Sequence, residues 1–147
     1  MFIDKTIFIF IDILALNTRH GKKGAYLISL HDDYQKLDFH FGDQAQVSFS
    51  CSLQWKNQYY VLGGYNEKRQ VSLVNGNRLE RKGTLDFSFD AGGCTVLNQS
   101  TIVLCFDWVQ KNVCRRSNNP LGSYTKLPDS NYNHQFTHIA SYDGKIC

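Results

Sequence analysis

Apolar and polar positions along the chain fall into a pattern that repeats without a gap. Cys51-Ser-Leu-Gln-Trp55-Lys-Asn-Gln-Tyr59-Tyr60-Val61, Cys94-Thr-Val-Leu-Asn98-Gln-Ser-Thr-Ile102-Val103-Leu104 and Thr137-His-Ile-Ala-Ser141-Tyr-Asp-Gly-Lys145-Ile146-Cys147 begin 43 residues apart. Each is a short apolar run, a polar turn (Lys56-Asn57, Gln99-Ser100, Asp143-Gly144) and a second apolar run. That is the sequence form of a β-hairpin.

Further runs extend each hairpin into a four-stranded unit. In the middle unit Ser48 to Gln54, Gln58 to Leu62, Arg69 to Val74 and Leu79 to Phe89 read as strands, closed by turns at Asn75-Gly76-Asn77 and Asp90 to Gly93. Asn, Asp and Gly at those turns accept positive φ. The next unit repeats the plan over Gly93 to Leu97, Thr101 to Phe106, Asn112 to Arg116 and Ser123 to Leu127, and the third holds only its first hairpin. Upstream, Ile11 to Leu16, Ala25 to Leu30 and Gln35 to Phe41 fit the second, third and fourth strands of an earlier unit, with Ile7 to Phe10 as what remains of its first. Leu37-Asp38-Phe39 there echoes Leu85-Asp86-Phe87 at an offset of 48. No window places apolar residues at helical spacing behind a cap, so the helix content is expected to be near zero.

A period of about 40 to 50 residues carrying one four-stranded unit is the sequence sign of a β-propeller. The expected fold is therefore all-β: a propeller fragment of about three four-stranded antiparallel blades, with a β-sandwich as the alternative. The units run over 1–43, 44–91 and 92–134, with a partial unit over 135–147. Gly63-Gly64 followed by Tyr65, at the end of a second strand in a repeat of this length, resembles the kelch-type propeller blade. The diglycine occurs once; Cys105-Phe106 stands in its place in the next unit and Leu16-Asn17 in the earlier one. The resemblance implies a propeller whose loops serve protein–protein interaction, as part of a longer protein.

The amino terminus, Lys5 to Leu16, is apolar enough to suggest a signal peptide, but Asp12 interrupts it and no small-residue cleavage pair follows. A strand pair is the expectation. The run is also well short of the roughly 20 residues of a membrane span. A net charge of +3, with Lys and Arg interleaved among Asp and Glu, leaves no basic stripe for nucleic acid.

Candidate chemistry is sparse. The five cysteines include Cys105 and Cys114, which flank a strand-to-strand connection and so fall on neighbouring antiparallel strands. They form either a disulfide or two small buried thiols. Cys51 and Cys94 hold equivalent places on first strands and are expected free and buried. His20, His31, His40, His134 and His138 have no ligand spacing with a Cys pair, and no phosphate loop, nucleophile elbow or dinucleotide fingerprint occurs. Asp32-Asp33 sits in a turn, where Asp serves the backbone. Neither a metal nor another cofactor is expected. Asn98-Gln99-Ser100 is a glycosylation sequon at a hairpin tip. The sequon and a disulfide, where real, point to a secreted or extracellular location.

Loops joining second to third strands and fourth to first strands leave a blade at the same end. They carry Tyr65, Lys68, Trp108, Lys111, Tyr132 and His134. Aromatic residues with long cations suit protein-binding hot spots. Trp108 either stands in solvent or packs down on its own blade. The expected function is a non-catalytic module binding a protein partner through this face, with self-association where the propeller is incomplete. The alternative is a propeller domain of an oxidase- or sialidase-like enzyme. Its marks are missing, since in Ser141-Tyr-Asp-Gly144 the glycine comes one place too early for the sialidase Asp box.

Overall fold

In the computed structural model, residues 12–17, 24–29, 35–37, 49–65, 67–76, 78–134, 139–143 and 145–146 are described. The expected strand at Ile7 to Phe10, His20, His31, His40, His138 and Asp32-Asp33 lie outside them. The described chain is all-β, without a helix. None of its elements is a helix long and apolar enough to cross a membrane.

Among the described residues thirteen strands form four antiparallel sheets, each a simple meander. The first holds β1 (Asp12–Asn17), β2 (Gly24–Ser29) and β3 (Gln35–Leu37). The second holds β4 (Cys51–Trp55), β5 (Gln58–Leu62), β6 (Gln70–Asn75) and β7 (Arg78–Thr84). The third holds β8 (Gly93–Leu97), β9 (Thr101–Cys105), β10 (Cys114–Ser117) and β11 (Thr125–Lys126). A last pair joins β12 (Ser141–Tyr142) to β13 (Lys145–Ile146). The leading described strand of each sheet lies beside that of the next, β1 against β4, β4 against β8 and β8 against β12, so β1, expected as the second strand of its unit, leads its sheet among the described residues.

Tight hairpins need positive φ at their tips to match strand twist. Lys56 and Asn57 (φ 47° and 60°) and Asn98 and Gln99 (φ 48° and 58°) supply it. The second turn therefore starts at Asn98, one place before the expected Gln99, and it is one residue longer: Trp55 pairs with Gln58, but Leu97 pairs with Thr101.

That residue has a structural consequence. Side chains alternate between faces with period two, so a slip of one place moves a residue to the other face. Cys51 pairs with Leu62, and in the next sheet Gly93 pairs with Cys105, so Cys51 corresponds to Gly93 and Cys94 to Ser52. Cys51, Leu53, Tyr60, Leu62 and Val71 line one face of the second sheet. The third sheet meets them with Cys94, Val96, Ile102 and Leu104, which belong to the opposite kind of face. The two sheets thus pack front to back. Leu62, Val71, Ile102 and Leu104 are 0–1% exposed at the junction, and each contributes roughly 1.5–3 kcal/mol by leaving water. The outer faces are buried as well, with Val61 and Ser72 behind the second sheet and Val103 and Cys105 in front of the third.

Two sequence expectations are corrected here. Cys51 and Cys94 are not free: they form a disulfide, with Cα atoms 6.0 Å apart, across the front-to-back junction. The fourth strand of the middle unit ends at Thr84, not at Phe89. Leu85 to Phe89 instead runs back beside the loop after β5, where Leu85 N–H donates to Arg69 O (2.6 Å) and Phe89 N–H to Lys68 O (2.7 Å). Its Phe87 ring meets Tyr124 edge-on at 5.5 Å and lies under the Arg115 guanidinium at 4.3 Å. This is packing that a continued strand would not reach.

Candidate functional site

In a meander, alternate connections share an end. The loops after β5, β7 and β9 and the segment after β11 gather at one end of the second and third sheets, and backbone contacts tie them into one surface. Ala91 N–H donates to Phe49 O (2.8 Å), Trp108 N–H to Asp90 O (2.9 Å) and His134 N–H to Lys111 O (2.8 Å). Gly63, at φ 64°, starts the loop after β5, and its N–H donates to Gln70 O (2.8 Å).

Each candidate side chain is held by local chemistry. Tyr65 stands 60% exposed, edge-on to Phe49 at 6.4 Å, with Lys68 Nζ 5.9 Å from its ring. Lys68 also reaches Asp90 Oδ2 at 2.9 Å. That hydrogen bond, with the charge behind it, raises the Lys68 pKa above its ordinary value. Asp90 is itself buried, so the lysine neutralises a carboxylate that would otherwise sit uncompensated. On the neighbouring loop the buried Asp107 accepts the N–H groups of Val109 and Gln110, both at 2.8 Å. This side-chain turn projects Trp108 (46% exposed) and Val109 (72%) outward, with Lys111 Nζ 5.5 Å from the Trp108 ring. His134 stacks on Phe106 with ring centroids 4.2 Å apart, and Tyr132 extends into solvent beside it.

The six residues singled out from sequence thus all lie on the gathered loops. Of the two settings open to Trp108, the exposed one is observed. Sequence reasoning missed Phe49, Val109 and the two buried aspartates. Phe49 was read as strand interior, but its φ of 58° takes it out of β4. Asp90 and Asp107 each follow an apolar run just where a loop begins, a signal that could have marked them as loop anchors.

A cleft of about 490 Å³ opens beside Tyr65, lined also by Glu67, Lys68, Arg69 and Arg81. Arg69 is fixed there by donation from Nε to Leu85 O (2.8 Å). Among the described residues no three His, Cys, Asp or Glu side chains converge as a metal site would require. At the far side of the third sheet, Cys105 and Cys114 are directly paired cross-strand neighbours joined by a disulfide, Cα atoms 4.0 Å apart. The Asn98 tip is exposed at the end opposite the loops.

Compared with models of protein families and with curated proteins, the chain matches none.

Proposed function

We propose that the chain is a kelch-like propeller module that binds a protein partner through the gathered loops and performs no catalysis itself. The observation that carries this reading is the clustering of exposed apolar side chains. Of the seven large hydrophobics that stand exposed among the described residues, Phe49, Tyr65, Trp108, Val109 and Tyr132 belong to this one end. Aromatic anchors beside long cations are the composition of protein-binding hot spots, and loops whose backbone is already held by hydrogen bonds lose little freedom on binding. With Lys68 paired to Asp90, the cleft beside Tyr65 sets Arg69 and Arg81 against Glu67, an excess of positive charge that favours a partner segment bearing Asp or Glu.

The propeller reading draws on the front-to-back packing. Two sheets of a sandwich related by a local two-fold bring like faces together, whereas unlike faces repeat head to tail, which closes a ring or continues as a stack. The leading described strands also adjoin in series, as successive blades would place them.

The test is co-purification from cells that make the protein. Wild type is compared with Tyr65→Ala/Trp108→Ala/Tyr132→Ala and with Leu121→Ala, an exposed residue at the other end. Exposed substitutions of this kind change stability by about 0.5 kcal/mol or less, so all three proteins remain folded. A partner held by wild type and by Leu121→Ala but lost from the triple variant is expected. A partner held equally by all three removes the reading.

A further inference from the structure

We infer that Asn98 carries an N-linked oligosaccharide, at the end of the third sheet opposite the loop face. Asn98-Gln99-Ser100 is the one Asn-x-Ser/Thr triplet with a non-proline centre in the whole sequence. Three observations bear on whether it is used. All three of its residues are exposed at the tip between β8 and β9, where the side chain of Asn98 is not needed to hold the fold. The turn is instead held by its backbone: Ser100 N–H donates to Leu97 O (3.1 Å) and Ser100 O accepts from Trp55 Nε1 (3.2 Å). An attached sugar would leave both bonds in place.

The second observation is independent of the triplet. Cys51 is bonded to Cys94 and Cys105 to Cys114, so four of the five cysteines are paired. Paired structural cysteines belong to oxidising compartments, and the eukaryotic secretory lumen is also where the transfer of N-linked glycans takes place. The third observation is the surface beside the tip. A cleft of about 430 Å³ lined by Thr101, Arg116, Ser117, Asn118, Ser123 and Thr125 opens at this end of the sheet. Hydroxyl, amide and guanidinium groups there offer hydrogen bonds to sugar hydroxyls.

The chemistry is a single group transfer. Asn98 Nδ2 attacks the anomeric carbon of a lipid-diphosphate-linked oligosaccharide; the new N–C bond forms as the C–O bond to the diphosphate breaks. The lipid diphosphate leaves with the electron pair, and the transferase takes the amide proton. The glycan then stands at the opposite end of β8 and β9 from Trp108, so it shields one end and leaves the loop face open.

The experiment directs the full chain through the secretory route of a eukaryotic cell and reads its mobility before and after removal of N-linked glycans by a peptide N-glycanase, which hydrolyses the bond between the Asn side-chain nitrogen and its carbonyl carbon and leaves Asp. One glycan's shift is expected, abolished in Asn98→Gln and in Ser100→Ala and kept in Ser100→Thr, with the peptide holding Asn98 gaining one mass unit on enzymatic release. A secreted protein with both disulfides formed and no shift overturns the inference. So does a shift that survives Asn98→Gln.

Discussion

Gly63 occupies a position that only glycine fills. Its φ is 64°, and a Cβ there would run into the carbonyl oxygen of Phe89, which also accepts the N–H of Gly64 (3.0 Å). Gly76 has a similar φ, 55°, but open space around it. Both lose to alanine the cost of the left-handed backbone, about 1 kcal/mol, and only Gly63 adds an overlap with fixed backbone. Gly63→Ala is therefore expected to lower the thermal midpoint well beyond Gly76→Ala, and equal shifts would deny the close approach of the two loops. The buried Tyr124 gives a second residue-level expectation. Burial, with a smaller contribution from Asp86, raises its hydroxyl pKa above the ordinary 10.0. Above that pH the unfolded chain gives up the proton before the folded one, so the stabilisation is whole below pH 10 and declines as pH rises further. Tyr124→Phe loses the hydrogen bond to Pro120 O, about 1 kcal/mol at neutral pH, and flattens the alkaline decline. Urea midpoints from pH 7 to 11 that fall in parallel for the two proteins would contradict this.

At the scale of elements, the two disulfides differ in what they constrain. Cys51–Cys94 closes 43 residues and ties one sheet to the next, while Cys105–Cys114 closes 9 within a sheet. Chain-entropy reasoning assigns about 4 kcal/mol to the longer loop and about 2.6 kcal/mol to the shorter. Cys51→Ala/Cys94→Ala is expected to cost more in a urea titration than Cys105→Ala/Cys114→Ala, and the reverse order would argue against the bridge between sheets. The same pair marks where the sequence stops being legible. β5 and β8 match their expected bounds to the residue, because alternation and turn residues are local signals. The bridge was hidden by one inserted residue in the Asn98 turn: with the two cysteines taken as equivalent, both point the same way, and only the slip turns Cys94 back toward Cys51. Leu85 to Phe89 misled for a related reason. Its apolar alternation looks like strand, and nothing local records that Phe87 is needed against Tyr124 and Arg115.

For the whole molecule, front-to-back packing sets the two ends apart. Hairpin tips, including Asn98, fall at one end, and the loops carrying Tyr65, Trp108 and Tyr132 fall at the other. Those loop residues were legible in sequence because the meander forces alternate connections to one side, a rule that needs only the strand count. What the sequence did not disclose was their support by Asp90 and Asp107, since burial of a carboxylate depends on which loop comes to lie over it. This end is therefore where another protein is expected to meet the molecule. Photocrosslinking tests it most directly: a benzophenone amino acid is placed singly at Tyr132, at Trp108 or at Leu121, and the full chain is irradiated in the cells that make it. Discrete adducts with the same partner from positions 132 and 108, and none from 121, are the expected result. Adducts from 121 alone, or equally from all three positions, would contradict it.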